Sequence, residues 1–389
     1  MPGFELIGKE EKEAVDEVFD KGGVLYRYGL DEKRQHIYRV DEFEKEIAKK
    51  VGAKYCHCVC NGTAALKIAL VVLGVGPDDE VITQSFTFVA TIEAVLELRA
   101  KSVITEVDKS LNMDPEDFEK KITDKTKVVI PVHMAGVPAK MAEIMEIAKK
   151  HNIAVLEDSA QALGGTYRGK YLGSIGDVGI YSLDIGKVIT TGEGGVLVTD
   201  NKNIYLKARE YSDHGHECNP NLPRGKDTRS RWGFNYKMTE LQGAVGLAQL
   251  KKLDYILKKQ REHKKQIKKG IKDIKKIEFR ELPDPAGDAG DTLIFFVESR
   301  KKAIKFAKLL AERKLGTKNL PDAINWHFAG TWDHIFSDYP EYKGKNLANV
   351  WEKSNNFLRR AIAIPIMVKM DEEQIKKIIN VIHEISEKI

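Results

Sequence analysis

The chain has 389 residues, of which 31% are charged and 42% hydrophobic. This composition excludes a disordered chain, a fibrous repeat and a membrane bundle, and the length predicts two domains at roughly 100–200 residues each. The net charge of +5, from 63 basic and 58 acidic residues, is too weak to argue for nucleic acid or acidic lipid as a partner.

The first residues, MPGFELIGKEEKEAV, carry acids where a secretory signal needs an apolar stretch. No apolar run approaches the ~20 residues that span a bilayer. A cytoplasmic protein without membrane contact is expected. Residues 9–21 predict a short amphipathic helix, residues 22–39 an irregular aromatic and basic arm, and residues 41–51 a second helix. From residue 55 short β-rich runs alternate with helical patterns: YCHCV, EVIT, KSVITEV, KVVIPVH, IAVLED, GDVGIYSL and GGVLVTD. Strands alternating with helices predict an α/β fold with a mostly parallel sheet, whose sites lie at the carboxyl ends of the strands. Residues 236–276 read as long helices. Their many lysines form a solvated face over an inward row of Leu253, Ile256, Ile267 and Ile271 rather than a nucleic-acid patch. The turn-rich ELPDPAGDAGD opens a smaller C-terminal α+β domain. The division is placed at 1–255 for the arm and large domain and 256–389 for the small one.

Cys56, Cys58 and Cys60 alternate along the first strand, a spacing too linear for one tetrahedral metal site. They read as small buried residues, and reduced thiols suit a cytoplasm-like compartment. His214 and His216 form one short pair without carboxylate support, so no metal is expected.

Chemistry concentrates after the strands. Lys187 follows GDVGIYSL and precedes the glycine-rich TTGEGG, and a lysine held there can form a Schiff base with an aldehyde cofactor. Asp158 closes an apolar strand, where a carboxylate is costly unless paired. A pyridinium nitrogen is one partner, and a helix N-cap over Ser159–Leu163 is an equal alternative. Gln161 stands two residues past Ser159. Asn61-Gly62-Thr63 opens a helix with small residues, which suits an anion such as phosphate or an ordinary capped turn. Ser182 precedes Lys187 and can add a hydroxyl. Phe88 follows the strand at 80–83 and is either a ring-stacking residue or a core phenylalanine.

In this order the residues resemble the DegT/DnrJ/StrS family of sugar aminotransferases, which have the fold type I architecture and use pyridoxal 5′-phosphate (PLP). The resemblance rests on NGTAAL, DEVITQSFTFVATIEAV, EDSAQALGGTYRGKYLGSIGDVGIYSL, Lys187 with TTGEGG, and GFNYKMTELQGAVGLAQL. It implies that Lys187 holds the cofactor and moves protons, that Asp158 pairs the pyridinium, and that Phe88 stacks on the ring. It further implies that Gln161 meets the 3-hydroxyl and that Gly62, Thr63 and Ser182 hold the phosphate. Asn235 reaches a neighbouring subunit's cofactor, so a homodimer with shared sites is implied. L-glutamate is the expected donor. Outside these motifs, LYRYG, SDHGHE, FRELPDPAGD and NWHFAGTWDHI resemble the branch that aminates C8 of 8-oxo-3-deoxy-manno-octulosonate, a lipopolysaccharide sugar. A nucleotide-linked keto-sugar is the alternative acceptor, and a non-catalytic PLP-binding regulator is the rival from another class.

An acidic sugar needs a cation, ideally a bidentate arginine. Arg27, Arg34 and Arg39 in the arm and Arg224, Arg229 and Arg231 before Asn235 are candidates, each with a solvated-loop alternative. His133 and His327 are candidates for sugar hydroxyls, each equally readable as structural.

Overall fold

A computed structural model describes residues 2–219, 221–222, 226–337 and 339–389. The alternation seen in the sequence becomes strands β1 Tyr55–Val59, β2 Glu80–Gln84, β3 Lys101–Thr105, β4 Thr126–Ile130, β5 Ala154–Asp158, β6 Val178–Ser182 and β7 Gly195–Thr199. They form one sheet in the order β1-β7-β6-β5-β4-β2-β3. β7 runs antiparallel to both β1 and β6, and the other pairings are parallel. β2, β6 and β7 are buried along their whole length. Continuous apolar runs such as VGIYS are what a sheet covered on both faces requires.

The helix Gly62–Val72 buries Ala65, Ile68, Ala69 and Leu70 against this sheet. At about 1.5–3 kcal/mol per buried aliphatic side chain, that contact dominates its stability. β1 lies at the sheet edge, and its free side is closed by the predicted arm and by the helix Arg39–Val51 that follows it. The Cys58 N–H donates to Glu44 Oε1 at 2.5 Å, and its carbonyl accepts from Arg27 Nη1 at 2.8 Å. An ion pair thus occupies the place of an eighth strand, which blunts an edge otherwise open to pairing. Cys56 and Cys58 are buried beside Phe43 and Ile47 of the helix Arg39–Val51.

The C-terminal part is built on strands β8 Glu278–Phe279, β9 Thr292–Phe296 and β10 Ala361–Pro365, all antiparallel. The helices Arg300–Glu312 and Glu372–Lys388 cover them. The stretch 236–276 holds two helices, Glu240–Leu250 and the lysine-rich Leu253–Ile271. The second buries Leu253, Ile256 and Leu257 in the large-domain core, and Ile267 and Ile271 in the small-domain core. Position 255 therefore falls inside a helix shared by both. Phe328, Trp332 and Trp351 pack back onto the large-sheet core, which brings the chain around residues 318–327 over the carboxyl ends of the strands. Among the described residues, no helix is long and apolar enough to cross a membrane.

Candidate active site

Segments following β1, β2, β4, β5 and β6 converge on a cleft of about 440 Å³, a size common for small-molecule sites. Gly62, Thr63, Phe88, Asp158, Gln161, Ser182, Lys187 and His327 all line it. Eight of the residues singled out by sequence thus meet in one place.

Asp158 ends β5 and is 3% exposed. Thr91 Oγ1 donates to Oδ2 at 2.8 Å, and the Ala160 N–H donates to Oδ1 at 3.1 Å. Both donors are neutral. Burial pushes the carboxyl above its ordinary range, and these two bonds offset only part of that. The adjacent Glu157 points to the opposite side of the sheet. It accepts from the N–H groups of Gly173, Ile175 and Gly176 at 2.9, 2.6 and 2.6 Å and from His133 at 3.1 Å. Glu157 is saturated by the protein, whereas Asp158 is left facing the cleft.

Lys187 sits past β6 on a turn organised by Asp184. The Lys187 N–H donates to the Asp184 carbonyl at 3.0 Å, and the Gly186 N–H to Asp184 Oδ1 at 2.8 Å. Burial pushes the Lys187 amine below its ordinary range, partly offset by the Asp184 and Asp158 carboxylates. A lowered pKa enlarges the neutral, nucleophilic fraction.

Asn61 caps the helix Gly62–Val72, its Oδ1 accepting from the Ala64 N–H at 2.8 Å. The N–H groups of Gly62 and Thr63 lie in the first turn, where no intrahelical acceptor exists, and they border the cleft. Gly62 is needed for space, because a Cβ there would sit 2.8 Å from Ser182 Cβ. Gln161 Oε1 accepts from the Ala135 N–H at 3.0 Å, which fixes its amide. Phe88 is 40% exposed rather than a core residue, and its ring lies near-parallel to Trp326 at 6.4 Å. His327 donates from Nδ1 to the Ala323 carbonyl at 2.9 Å, which leaves Nε2 as an acceptor. Burial pushes its pKa down, which favours the neutral ring.

Other candidates lie elsewhere. Arg27 is not a substrate contact: it is 2% exposed, bound to Glu44 at 2.5 Å and to the Cys58 carbonyl. His133 is structural as well, with Nε2 on Glu157 and Nδ1 accepting from the Ala139 N–H at 3.1 Å. Arg231 pairs with Glu210 at 2.9 Å, away from the cleft. Arg34 donates to the carbonyls of Tyr26 and Arg27, and Arg39 pairs with Glu17 and Glu42. Arg229 is exposed outside the lining, and Arg224 lies outside the described residues. Asn235 is exposed and bridges to Asp213, outside this chain's own cleft. The sequence reading missed Thr91, Lys318, Asn319 and Asp291. Thr91 stands three residues past Phe88 in the same motif, while the other three carry no local signal.

A cleft over parallel strand ends, with a deprotonable lysine facing a buried, under-compensated carboxylate, belongs to the PLP-dependent aminotransferases of fold type I. Over residues 7–383 the sequence matches the DegT/DnrJ/EryC1/StrS aminotransferase family, and the chain belongs to it. It is 31% identical over 388 residues to the spore coat polysaccharide biosynthesis protein SpsC of Bacillus subtilis, covering 98% of this chain and 95% of that one. It is 42% identical over 218 residues to GDP-perosamine synthase of Caulobacter vibrioides, covering 55% of this chain and 56% of that one. The solved aminotransferase from Psychrobacter cryohalolentis superposes with a TM-score of 0.86 at 27% identity over 98% of each chain. The protein is a PLP-dependent sugar aminotransferase.

Proposed function

We propose that the cleft moves an amino group from L-glutamate to the aldehyde of an oxidised sugar acid, C8 of 8-oxo-3-deoxy-manno-octulosonate. The observation that carries the amine-transfer reading is the pairing of environments at Lys187 and Asp158. Burial disfavours the charge on each, so each gains when a ligand supplies the complementary group. The donor set fits PLP: two first-turn N–H groups beside Ser182 for a phosphate, Asp158 for a ring nitrogen, and the Phe88 face for the ring. When bound, PLP supplies a carbonyl that exchanges amines and a cationic ring that withdraws electrons from the reacting carbon.

The residues then have separate tasks. Asp158, oriented by Thr91 and Ala160, keeps the ring nitrogen protonated. The Lys187 amine, once displaced, takes the proton from the donor carbon and returns it on the other side of the exchange. Gln161 presents its NH₂, because its carbonyl is committed to Ala135. His327 Nε2 accepts a hydroxyl of the sugar. Two chains share their sites, with Asn235 of each reaching the other. The exposed Trp232 and Phe234 beside Asn235 support a buried contact there. Four free cysteines suit action in a reducing cytoplasm.

The charge of the cleft supports the sugar acid. Its carboxylates are Asp158, Asp184, Glu193 and Asp291, against Lys187 and Lys318 as cations. With Lys318 as the lysine or arginine besides Lys187 in this lining among the described residues, the cleft suits a single carboxylate better than a diphosphate. The similarity to GDP-perosamine synthase favours the second reading, a nucleotide-linked keto-sugar acceptor. Amine-loaded enzyme should be offered each acceptor and the aminated product followed by mass. Turnover of the C8 aldehyde alone supports the first reading. Turnover of a GDP-linked keto-sugar alone replaces it with the second.

A further inference from the structure

Lys187 is committed to chemistry, which leaves Lys318 as the remaining lysine or arginine in the cleft lining among the described residues. Its ammonium donates to Asp291 Oδ2. Burial raises the Asp291 carboxyl, but Lys318 beside it and the Thr292 hydroxyl bring it below its ordinary range. The Asp291 carboxylate engages one N–H of Lys318, which leaves the ammonium two further N–H donors. The base of the side chain is fixed, since the Lys318 N–H donates to the Ala363 carbonyl of β10 at 2.8 Å.

The next residue gives the pair its meaning. In an extended segment Lys318 and Asn319 would point to opposite faces. Asn319 instead has a φ of 67°, a left-handed conformation that costs an asparagine little. Lys318 and Asn319 both border the same cleft. An ammonium and an amide on neighbouring residues can offer one donor to each oxygen of a carboxylate.

We propose that Lys318, with Asn319 beside it, is the carboxylate anchor of the cleft, held in place by Asp291. This rests on the amine-transfer reading above. The carboxylate has two sources, the amino donor and the sugar acid, because both occupy the same cleft in turn. Lys318 acts on binding rather than on the proton transfer, so it sets KM and leaves kcat nearly unchanged.

The test uses full-length protein loaded with PLP and an unreactive dicarboxylate, glutarate, measured by calorimetry. Lys318→Met should weaken glutarate binding on the order of 100-fold, and Lys318→Arg should retain most of it. The combined variant Asp291→Asn, Lys318→Gln removes both charges and so leaves no orphaned carboxylate. It should lose glutarate equally while still loading PLP. Glutarate affinity that is the same in wild type and both charge-removing variants, including no binding to any of them, overturns the proposal. Half-reaction kinetics of Lys318→Met then identify the source: a raised KM for L-glutamate, for the sugar acid, or for both. If wild type binds glutarate through Lys318 yet L-glutamate does not convert its PLP spectrum, the amine-transfer reading fails and the anchor stands.

Discussion

Two regions of the molecule bury a carboxylate, and they treat it in opposite ways. Under the arm, Glu44 receives Arg27 at 2.5 Å, His57 at 3.2 Å and the Cys58 N–H at 2.5 Å. Burial pushes its carboxyl up, but the Arg27 guanidinium and His57 outweigh this and bring it to about 2. In the cleft, Asp158 receives only a hydroxyl and one N–H, and its carboxyl stays raised. The protein completes the first carboxylate with its own charges and leaves the second to a ligand. A buried charge that the protein compensates is costly to break, and one that it leaves under-compensated is a candidate for the site.

The contrast can be broken most severely at Lys187. Lys187→Ala should cut amine transfer by roughly 10⁴-fold, the upper range for a positioned acid–base group, with an unchanged melting temperature. Loss of turnover accompanied by unfolding would assign Lys187 a structural task instead. Glu44→Gln should do the reverse. It leaves Arg27 buried without its partner, at a cost of about 3–5 kcal/mol. Denaturant unfolding should show that loss, while kcat of the surviving folded enzyme stays near wild type. Asp158→Asn should lower kcat on the order of 10²–10³-fold without lowering stability, since a carboxylate held in excess of its donors gains from neutralisation.

The same comparison predicts acid lability. Burial lowers His57 to about 4 from its ordinary 6.5, so below pH 6.5 the unfolded chain binds a proton that the folded chain refuses. Glu44 behaves likewise between 4.5 and about 2. In both windows the unfolded state binds more protons, so stability present at neutral pH is lost as pH falls from about 6.5 to about 2. Glu44 accounts for about 3 kcal/mol of this. Unfolding titrations in Glu44→Gln should lack the lower part of the slope.

Much of this was legible in the sequence, for physical reasons. The strands from residue 55 to 182 are mostly buried and therefore read as apolar runs, and their carboxyl ends border the cleft. That is why Lys187, Asp158, Gln161 and Ser182 could be placed. Arg27 was misplaced because a polar, aromatic arm reads as solvated. Its burial depends on Glu44, seventeen positions away, covering the same strand edge. His133 follows a strand as a site residue would, but its ring is consumed by Glu157 and the Ala139 N–H. Lys318 and Asn319 were invisible because they reach the cleft only when the chain after residue 316 folds back from the small domain, with a turn at φ 67°.

On the proposal above, Lys187 and Asp158 bind one cofactor between them and pass an amine through it. The most direct measurement is the absorbance spectrum of PLP-reconstituted protein before and after adding L-glutamate, run beside Lys187→Ala. A yellow band that collapses with glutamate is expected in wild type, and no such protein-linked band in the variant. A folded wild type that takes up no PLP, or an identical band in Lys187→Ala, would contradict that proposal.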